Sequence, residues 1–516
     1  MADDLFQLIK ALDKNEKGYF KKFAARYGEK TTGNDYLKLF DLLDKAEEYN
    51  EETVKKNFAK TGKKFNLSAQ KTYLYKQLIR CLRSYHSAQN SSYKLTESLL
   101  DIQNLTDKGL DEQAMELVES GITKAFDSGN FSMELQFKTI RQSLVIRHLA
   151  TYTAEEVTKL HVDIIETNER IGKNLLLEKL GFAMKALFDQ VIAEGTLTPA
   201  NKSMADEIIN NPVFTDGLNW GFNAKGKIYN AYYLHASINN NDIDSLKYLK
   251  LTNEMFKDME LDTKTTYQYL ANISNIVLIA LNLELMKEAG QQLNTLEHIR
   301  FKDTALEIYR QKLYSKNQLM YLTVLSQQRE LTTQEILDAE TNLLNCANPL
   351  LGNNNLMSCF YLSILFYVVT ERDKALHWLQ QAIDHEKVSL PTVQAYARLL
   401  CALIHFDQNN HSLMESALNN AQYFIKKNEL GAEYLKQIVS WFSKLPYADN
   451  TEKTTLLKQM NNWLEKTNAE RKDDEFTYLF DFNLLFWCRS NLNKTSYAYE
   501  LRSNKAQVMA LETSTV

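Results

Sequence analysis

Glycine, proline and cysteine are scarce in this chain. It holds 16 glycines and 5 prolines in 516 residues, whereas average proteins contain roughly 7% and 5% of these types. This shortage excludes collagen-like, low-complexity and loop-rich proteins. The five cysteines are odd in number, scattered and never spaced as Cys-x-x-Cys, so they indicate neither a disulfide framework nor a zinc site. We expect reduced, mostly buried thiols and a cytoplasmic protein.

Long apolar runs are missing as well. The longest near-apolar stretch, 356–369, has 14 residues and contains Ser358 and Ser363, whereas roughly 20 apolar residues are needed to cross a bilayer. It therefore predicts a buried core helix. The acidic start Met1-Ala2-Asp3-Asp4 differs from the basic start of a signal peptide, so we expect neither export nor a membrane partner.

Motifs for catalysis, cofactor binding and metal binding are also absent from the sequence. There is no Gly-x-Gly-x-x-Gly, and Thr61-Gly62-Lys63-Lys64 lacks the upstream glycine and the following Ser or Thr of a phosphate-binding loop. His385-Glu386 is not followed by a histidine at the spacing that zinc hydrolases use. The sequence thus predicts a protein that is not an enzyme and needs no cofactor and no metal.

Apolar residues at helical spacing, three and four positions apart, run along almost the whole chain. They predict an all-α protein. Residues 1–95 are expected to form a basic N-terminal helical bundle, in which Asp13 and Glu16 form a capping-box pattern at the start of the second helix. Five helices are predicted there. The first ends at Leu12, and the other four span 13–28, about 35–43, about 51–62 and about 68–86.

Positive charge is concentrated at the beginning of the chain. Residues 1–90 carry a formal charge of +6, and the remainder carries −11. The fifth predicted helix has one apolar stripe, and three cations fall on its opposite face: Lys76, Arg80 and Arg83. This face is a candidate contact for an anion or a nucleic acid, and the alternative interpretation is an ordinary solvated helix surface. Nucleic acid is not the favoured partner.

A looser self-similarity begins near residue 100, where a small residue is followed by apolar residues at helical spacing. From residue 245 onward, successive occurrences of this pattern are separated by 44, 86 (twice 43) and 42 residues, which predicts a repeat slightly longer than 40 residues. A unit of this length holds two antiparallel helices that bury their apolar faces by stacking on neighbours. Polar clusters mark the predicted turns at 239–242, 370–373 and 407–410. The small residues that define the pattern are Ala114, Ser245, Ala289, Ala375 and Ala417.

The stretch with Phe360-Tyr361-Leu362, Ala375, Trp378 and Ala382 resembles one unit of the tetratricopeptide-like superfamily. The resemblance extends loosely over residues 100–500, and it departs from the usual period of about 34 residues and from the family's glycine and proline positions. It implies a right-handed α-solenoid of two-helix repeats over 96–502. It also implies that peptides or protein segments bind on a concave surface. Independently of the resemblance, the polar and small composition after Ser503 predicts a flexible tail at 503–516.

Polar residues on the first helix of each unit are candidates for lining that surface, because positions three or four apart share a helix face. Amides donate and accept hydrogen bonds, and cations pair with carboxylates, so such residues suit a peptide backbone or a chain terminus. The candidates are Lys227, Asn230 and Tyr233 or Leu234; Gln268, Asn272 and Asn275; and Arg310, Lys316 and Asn317.

The segment 476–487 is apolar nearly all round, which predicts a buried helix that caps the array or, alternatively, closes a homodimer. Taken together, the sequence favours a non-enzymatic scaffold that binds a protein or peptide on the concave face of a helical-repeat array. The alternative is a transcriptional or RNA-associated regulator, with a nucleic-acid-binding N-terminal bundle and a peptide-sensing repeat domain.

Overall fold

The computed structural model of this chain is α-helical. Throughout the part that it describes, helices are joined by turns and short 3₁₀ segments, and no strand occurs there. This confirms the all-α prediction for those residues. The described residues are 2–27, 35–59, 66–87, 91–194, 197–257, 263–346, 353–384, 390–428, 430, 433–470 and 483–503.

The chain forms two compact units, Met1–Ile171 and Gly172–Val516, which are described separately. The boundary lies within the ninth helix, whose 41 residues were not predicted as one element. The separate prediction of a bundle ending at residue 95 stays a prediction, and 504–516 of the predicted tail lie outside the described residues. The first nine helices are α1 (Ala2–Ala11), α2 (Lys14–Tyr27), α3 (Asp35–Lys45), α4 (Glu51–Ala59), α5 (Leu67–Ser87), α6 (Ser91–Asp107), α7 (Asp111–Asp127), α8 (Phe131–Arg147) and α9 (Ala154–Glu194).

The second unit continues with helices that are shorter than α9. They are α10 (Pro199–Ile209), α11 (Val213–Asp216), α12 (Phe222–Ile238), α13 (Asp242–Lys257), α14 (Thr263–Asn282), α15 (Met286–His298), α16 (Thr304–Leu325), α17 (Thr333–Leu344), α18 (Asn353–Val368), α19 (Arg372–Ile383), α20 (Pro391–Asp407), α21 (His411–Lys427), α22 (Glu433–Phe442), α23 (Asn450–Glu470), α24 (Leu484–Asn493) and α25 (497–503).

The first five helices agree closely with the predicted bounds, although the predicted ends at 28 and 62 lie outside the described residues. The capping box of α2 is present, because the Glu16 N–H donates to Asp13 Oδ1 and the Asp13 N–H donates to Glu16 Oε2, each at 2.8 Å. Helix α5 packs against α1, α2 and α3, and its residues Leu74 and Leu78 are fully buried. One side of α5 is therefore packed, and its opposite side is left open.

A buried charge network joins α8 to α9 in the first unit. The ammonium of Lys138, which is buried, lies 2.7 Å from Glu134 and 2.7 Å from Asp163. Glu134 is also buried and pairs with Arg170 at 3.1 Å. Because each buried charge has an opposite partner, none is left uncompensated in a low-dielectric interior.

Helices of the second unit pack in neighbouring pairs, with α12 against α13, α14 against α15, α16 against α17, α18 against α19 and α20 against α21. Four of these pairs share one form of turn, in which a residue with positive φ follows the first helix. The next N–H then donates to the carbonyl five residues back, as from Asn241 to Ala236 at 2.9 Å, which is the Schellman closure of a helix end. The positive-φ residues are Asn240, Glu284, Thr370 and Asn409.

These turns fix the register of the pairs. The positive-φ residues are 44, 86 and 39 positions apart from 240 to 409, and the turns predicted at 239–242, 370–373 and 407–410 are confirmed. The last predicted step, 42 residues from Ala375 to Ala417, was wrong. The buried residue that stands in the same position after its turn as Ala375 is Met414, and Ala417 lies one helical turn further on. The equivalent buried residues, each five positions after the turn, are Ser245, Ala289, Ala375 and Met414.

The pair α16–α17 differs from the others. Helix α16 runs on to Leu325, and α17 begins with a capping box in which Thr332 and Glu335 bond each other's backbone N–H. Helix α18 is buried on all sides from 356 to 368, which confirms the core helix predicted from its apolar run. The middle of the second unit therefore contains a helix that is buried along most of its length.

The C-terminal aromatic segment is described only from residue 483 onward, and 476–482 lie outside the described residues. Residues 484–488 are buried, and the indole of Trp487 donates to Asp407 at 3.0 Å. The hydroxyl of Tyr367 donates to the same carboxylate at 2.6 Å. Burial raises the pKa of Asp407. This part of the segment thus packs within its own chain, and a homodimer stays an untested alternative.

Candidate functional site

Four of the residues predicted to line an open face are buried instead, and so is Leu234, the alternative to Tyr233. The four are Tyr233, Asn272, Arg310 and Asn317. Burial raises the pKa of Tyr233 to about 12, and the amide of Asn272 donates to the Leu249 carbonyl at 3.0 Å. These side chains are held by internal contacts, so their exposure was predicted wrongly. Helical spacing assigns a residue to a face, but the face turned toward a neighbouring helix depends on tertiary packing.

The other two of these four serve contacts of α16. The guanidinium of Arg310 donates to the Leu296 carbonyl at 2.6 Å and pairs with Glu307 at 2.6 Å. The amide of Asn317 donates to Ser274 Oγ of α14 at 2.9 Å. Both side chains join helices to one another and are not available to a partner molecule.

Two predicted residues of α12 have different surroundings. Lys227 is half-buried, and its ammonium pairs with Glu178 of α9 at 2.5 Å. Asn230 is exposed. The ion pair leaves the charge of Lys227 largely compensated.

Helices α14 and α16 present three predicted residues on the same side. Both helices pack against α15: Ile273 belongs to a cluster with Leu296, and Tyr314 bonds Glu297. Residues two positions apart on a helix point about 200° apart, so Asn275 and Lys316 lie on the side away from α15. Gln268 lies two turns before Asn275 and shares that side. We call this surface the α14/α16 face, defined by Gln268, Asn275 and Lys316.

Contacts between α14 and α16 hold the two halves of this face together. The rings of Tyr267 and Tyr309 meet edge to face with centroids 4.9 Å apart, in addition to the bond between Asn317 and Ser274. Gln268 is exposed, and Asn275 and Lys316 are half-buried. The face is therefore formed by a fixed pair of helices and remains open to solvent.

Lys316 is the unusual group of this face. Its side chain keeps some contact with solvent, yet protein atoms surround the ammonium densely enough that burial lowers its pKa. No acidic side chain pairs with Lys316 in the part of the chain that the structure describes, in contrast to Lys227 and Arg310.

Its two chain neighbours also carry polar atoms without partners. Ser315 Oγ and Asn317 Oδ1 are buried, and neither has a hydrogen-bond partner among the described residues. Native interiors leave few such atoms unsatisfied, because each costs free energy. This stretch of α16 therefore concentrates polar groups that packing alone does not explain.

The second candidate surface lies on α5. Lys76, Arg80 and Arg83 are all exposed and share the side opposite the buried Leu74 and Leu78, as predicted. We call this surface the α5 basic face. Tyr75 and Ile79 are exposed beside this face and were not predicted from sequence. Their positions off the apolar stripe were the available signal.

Neither a metal site nor a membrane-spanning helix occurs among the described residues. No three His, Cys, Asp or Glu side chains gather there closely enough to hold a metal ion. None of the described helices combines the length and the apolar content required to span a bilayer. All five cysteines are free; four are buried, and Cys401 is half-buried, as expected of structural thiols.

The sequence was also compared with known proteins. A scan against protein-family models finds no matching family, and a search of curated proteins finds no match.

Proposed function

We propose that the helix pairs of the second unit form a tetratricopeptide-like right-handed solenoid that acts as a non-enzymatic scaffold. On this proposal, the α14/α16 face binds an extended peptide or protein segment that carries a carboxylate. The observation that carries the proposal is Lys316, a half-buried cation with no acidic partner among the described residues.

The free energy of a desolvated lysine favours this function. A lysine whose burial lowers its pKa costs stability in the charged form, and an anion that pairs with the ammonium recovers that cost. A charge-assisted hydrogen bond to a carboxylate is about twice as strong as a neutral one. The ligand's carboxylate would thus be bound more firmly than the rest of its chain.

The amides of α14 complete the binding surface. Gln268 and Asn275 are seven residues apart, which corresponds to about 10 Å along the helix, or about three residues of an extended peptide. Each amide donates and accepts, so it can pair with a peptide N–H or C=O whatever the side chain. Lys316 then selects for charge, and the amides hold the backbone.

The experiment is a selection of random peptides, with free C-terminal carboxylates, on the full-length protein. Enriched peptides are labelled, and their affinity is measured by fluorescence anisotropy for the wild type, Lys316→Met and Lys287→Met. Lys287 is exposed on α15, so it is a matched control for the loss of one charge. We expect Lys316→Met to weaken binding about tenfold or more, and Lys287→Met to leave it unchanged.

The same peptides are then tested with an amidated C-terminus and with Asp and Glu replaced by Asn and Gln. Loss of binding on one of these changes identifies the carboxylate that Lys316 binds. Selection of no peptide, or equal affinity of the wild type and Lys316→Met, would overturn the proposal.

A further inference from the structure

We propose that the α5 basic face binds single-stranded nucleic acid, through its phosphates and unstacked bases. The proposal concerns the first unit and is independent of the peptide-binding function. It rests on the arrangement of three cations, two exposed apolar side chains and the neighbouring acidic groups.

Helix α5 has no acidic residue in its 21 positions. Lys76, Arg80 and Arg83 follow one another at spacings of four and three, so they form a single row along the helix. The row covers about 10 Å at 1.5 Å per residue. A row of this length reaches two or three successive phosphates of a single strand.

Two acidic groups that reach α5 pair with cations outside this row. Glu51 pairs with Lys71 at 2.9 Å and with Lys55 at 2.8 Å, and hydrogen bonds, first from Lys55, lower its pKa to about 2. Glu16 lies 3.0 Å from His86 and also caps α2. Within the described residues, no carboxylate pairs with Lys76 or Arg83.

The same bundle neutralises other cations with its own acids. Lys17 pairs with Asp44 at 2.8 Å and Lys21 pairs with Asp41 at 2.7 Å. Lys76 and Arg83 thus give the α5 basic face a surplus of positive charge, beside cations of the same bundle that are neutralised. A polyanion complements such a surplus.

Exposed apolar groups indicate single strands rather than a duplex. Tyr75 is 42% exposed and Ile79 is 37% exposed, and both flank the row of cations on one side. Bases of a single strand stack on aromatic side chains, whereas the bases of a duplex are already stacked and its contacts are dominated by phosphates. Tyr75 therefore provides the base contact, and the cations provide the phosphate contacts.

The test is fluorescence anisotropy of labelled 20-nucleotide RNA, DNA of the same sequence, and the corresponding duplex, with the full-length protein at about 50 and 200 mM salt. The variants are the triple change Lys76→Gln, Arg80→Gln, Arg83→Gln, and the single change Tyr75→Ala. The control removes three exposed lysines of α21 and α23, as Lys426→Gln, Lys427→Gln, Lys458→Gln. Circular dichroism checks that each variant is folded.

We expect single strands to bind and to lose about tenfold in affinity between the two salt concentrations. The triple variant should lose most of the binding and most of its salt dependence, and Tyr75→Ala should lose about fivefold or more. The control triple should bind as the wild type does. Tighter binding of either RNA or DNA single strands is consistent with the proposal, since both supply phosphates and bases.

Three results would overturn the proposal. They are the absence of binding at the lower salt concentration, an equal loss in the control triple, and duplex binding as tight as single-strand binding with no effect of Tyr75→Ala. The last result would identify a general phosphate contact instead.

Discussion

Helices α5 and α16 carry similar polar side chains at similar spacings, but their environments differ. On α5 the cations face solvent, because helices pack on one side of it only. On α16 only Thr304 and Ala305 are exposed, because α14, α15, α17 and α18 all pack against it. A helical pattern therefore predicts a polar surface where one side of the helix is packed, and this prediction fails where several sides are packed.

The largest expected effect on stability distinguishes a buried cation, Arg310, from an exposed one, Arg83. Arg310→Ala removes the donor to Leu296 and leaves Glu307 without its partner, so it should lower the free energy of unfolding of the second unit by about 3 kcal/mol. Arg83→Ala on α5 should change stability by less than about 0.5 kcal/mol.

Urea unfolding followed by tryptophan fluorescence measures the Arg310 effect. All five tryptophans lie in Gly172–Val516, so this signal reports on the second unit, and circular dichroism follows the whole chain for Arg83→Ala. An Arg310→Ala protein as stable as the wild type would contradict the structural role of this residue.

A smaller effect concerns Lys316. Lys316→Met removes a desolvated charge and keeps the aliphatic length, so we expect the second unit to gain about 1 kcal/mol at neutral pH. Because the pKa of Lys316 is lowered in the folded state, the unfolded state binds more protons between the folded and unfolded pKa values. The wild type therefore gains stability as pH rises through that interval.

The advantage of Lys316→Met should accordingly shrink between neutral pH and about pH 10. Other titrating groups are common to both proteins, so the difference between the two unfolding curves isolates Lys316. An advantage that is constant with pH, or a loss of stability at neutral pH, would show that Lys316 is stabilised by a partner in the folded state.

The smallest effect compares two hydroxyls. Ser315→Ala removes a buried Oγ without a partner among the described residues and should stabilise the second unit by about 0.5–1 kcal/mol. Ser84→Ala, on the exposed side of α5, corrects for the general helix preference of alanine, about 0.4 kcal/mol. Denaturant unfolding measures both, and a clear destabilisation by Ser315→Ala would show that this hydroxyl is bonded in solution.

Local features of the fold were predictable from sequence. The capping box at Asp13 and Glu16, the burial of α18 and the polar turns near Asn240, Thr370 and Asn409 are decided by neighbouring residues along the chain. The length of α9 and the register of Met414 were not predicted, because similar apolar patterns one turn apart give competing assignments.

The candidate site was predictable only in part. Spacing brought Gln268, Asn275 and Lys316 to one side of their helices, but the same rule also selected Asn272, Arg310 and Asn317, which are buried. The burial of these side chains depends on which helix covers them, such as the contact of Asn317 with Ser274 43 residues away. Long-range packing of this kind leaves no signal in the spacing of one helix.

One measurement tests most directly whether the two regions serve different ligands. A selected peptide and a 20-nucleotide RNA are each titrated against the wild type, Lys316→Met and the triple variant of Lys76, Arg80 and Arg83. We expect Lys316→Met to bind the peptide about tenfold more weakly and to bind the RNA as the wild type does. The triple variant should show the reverse, with weakened RNA binding and unchanged peptide binding. Variants that weaken both ligands equally, or neither, would contradict the account.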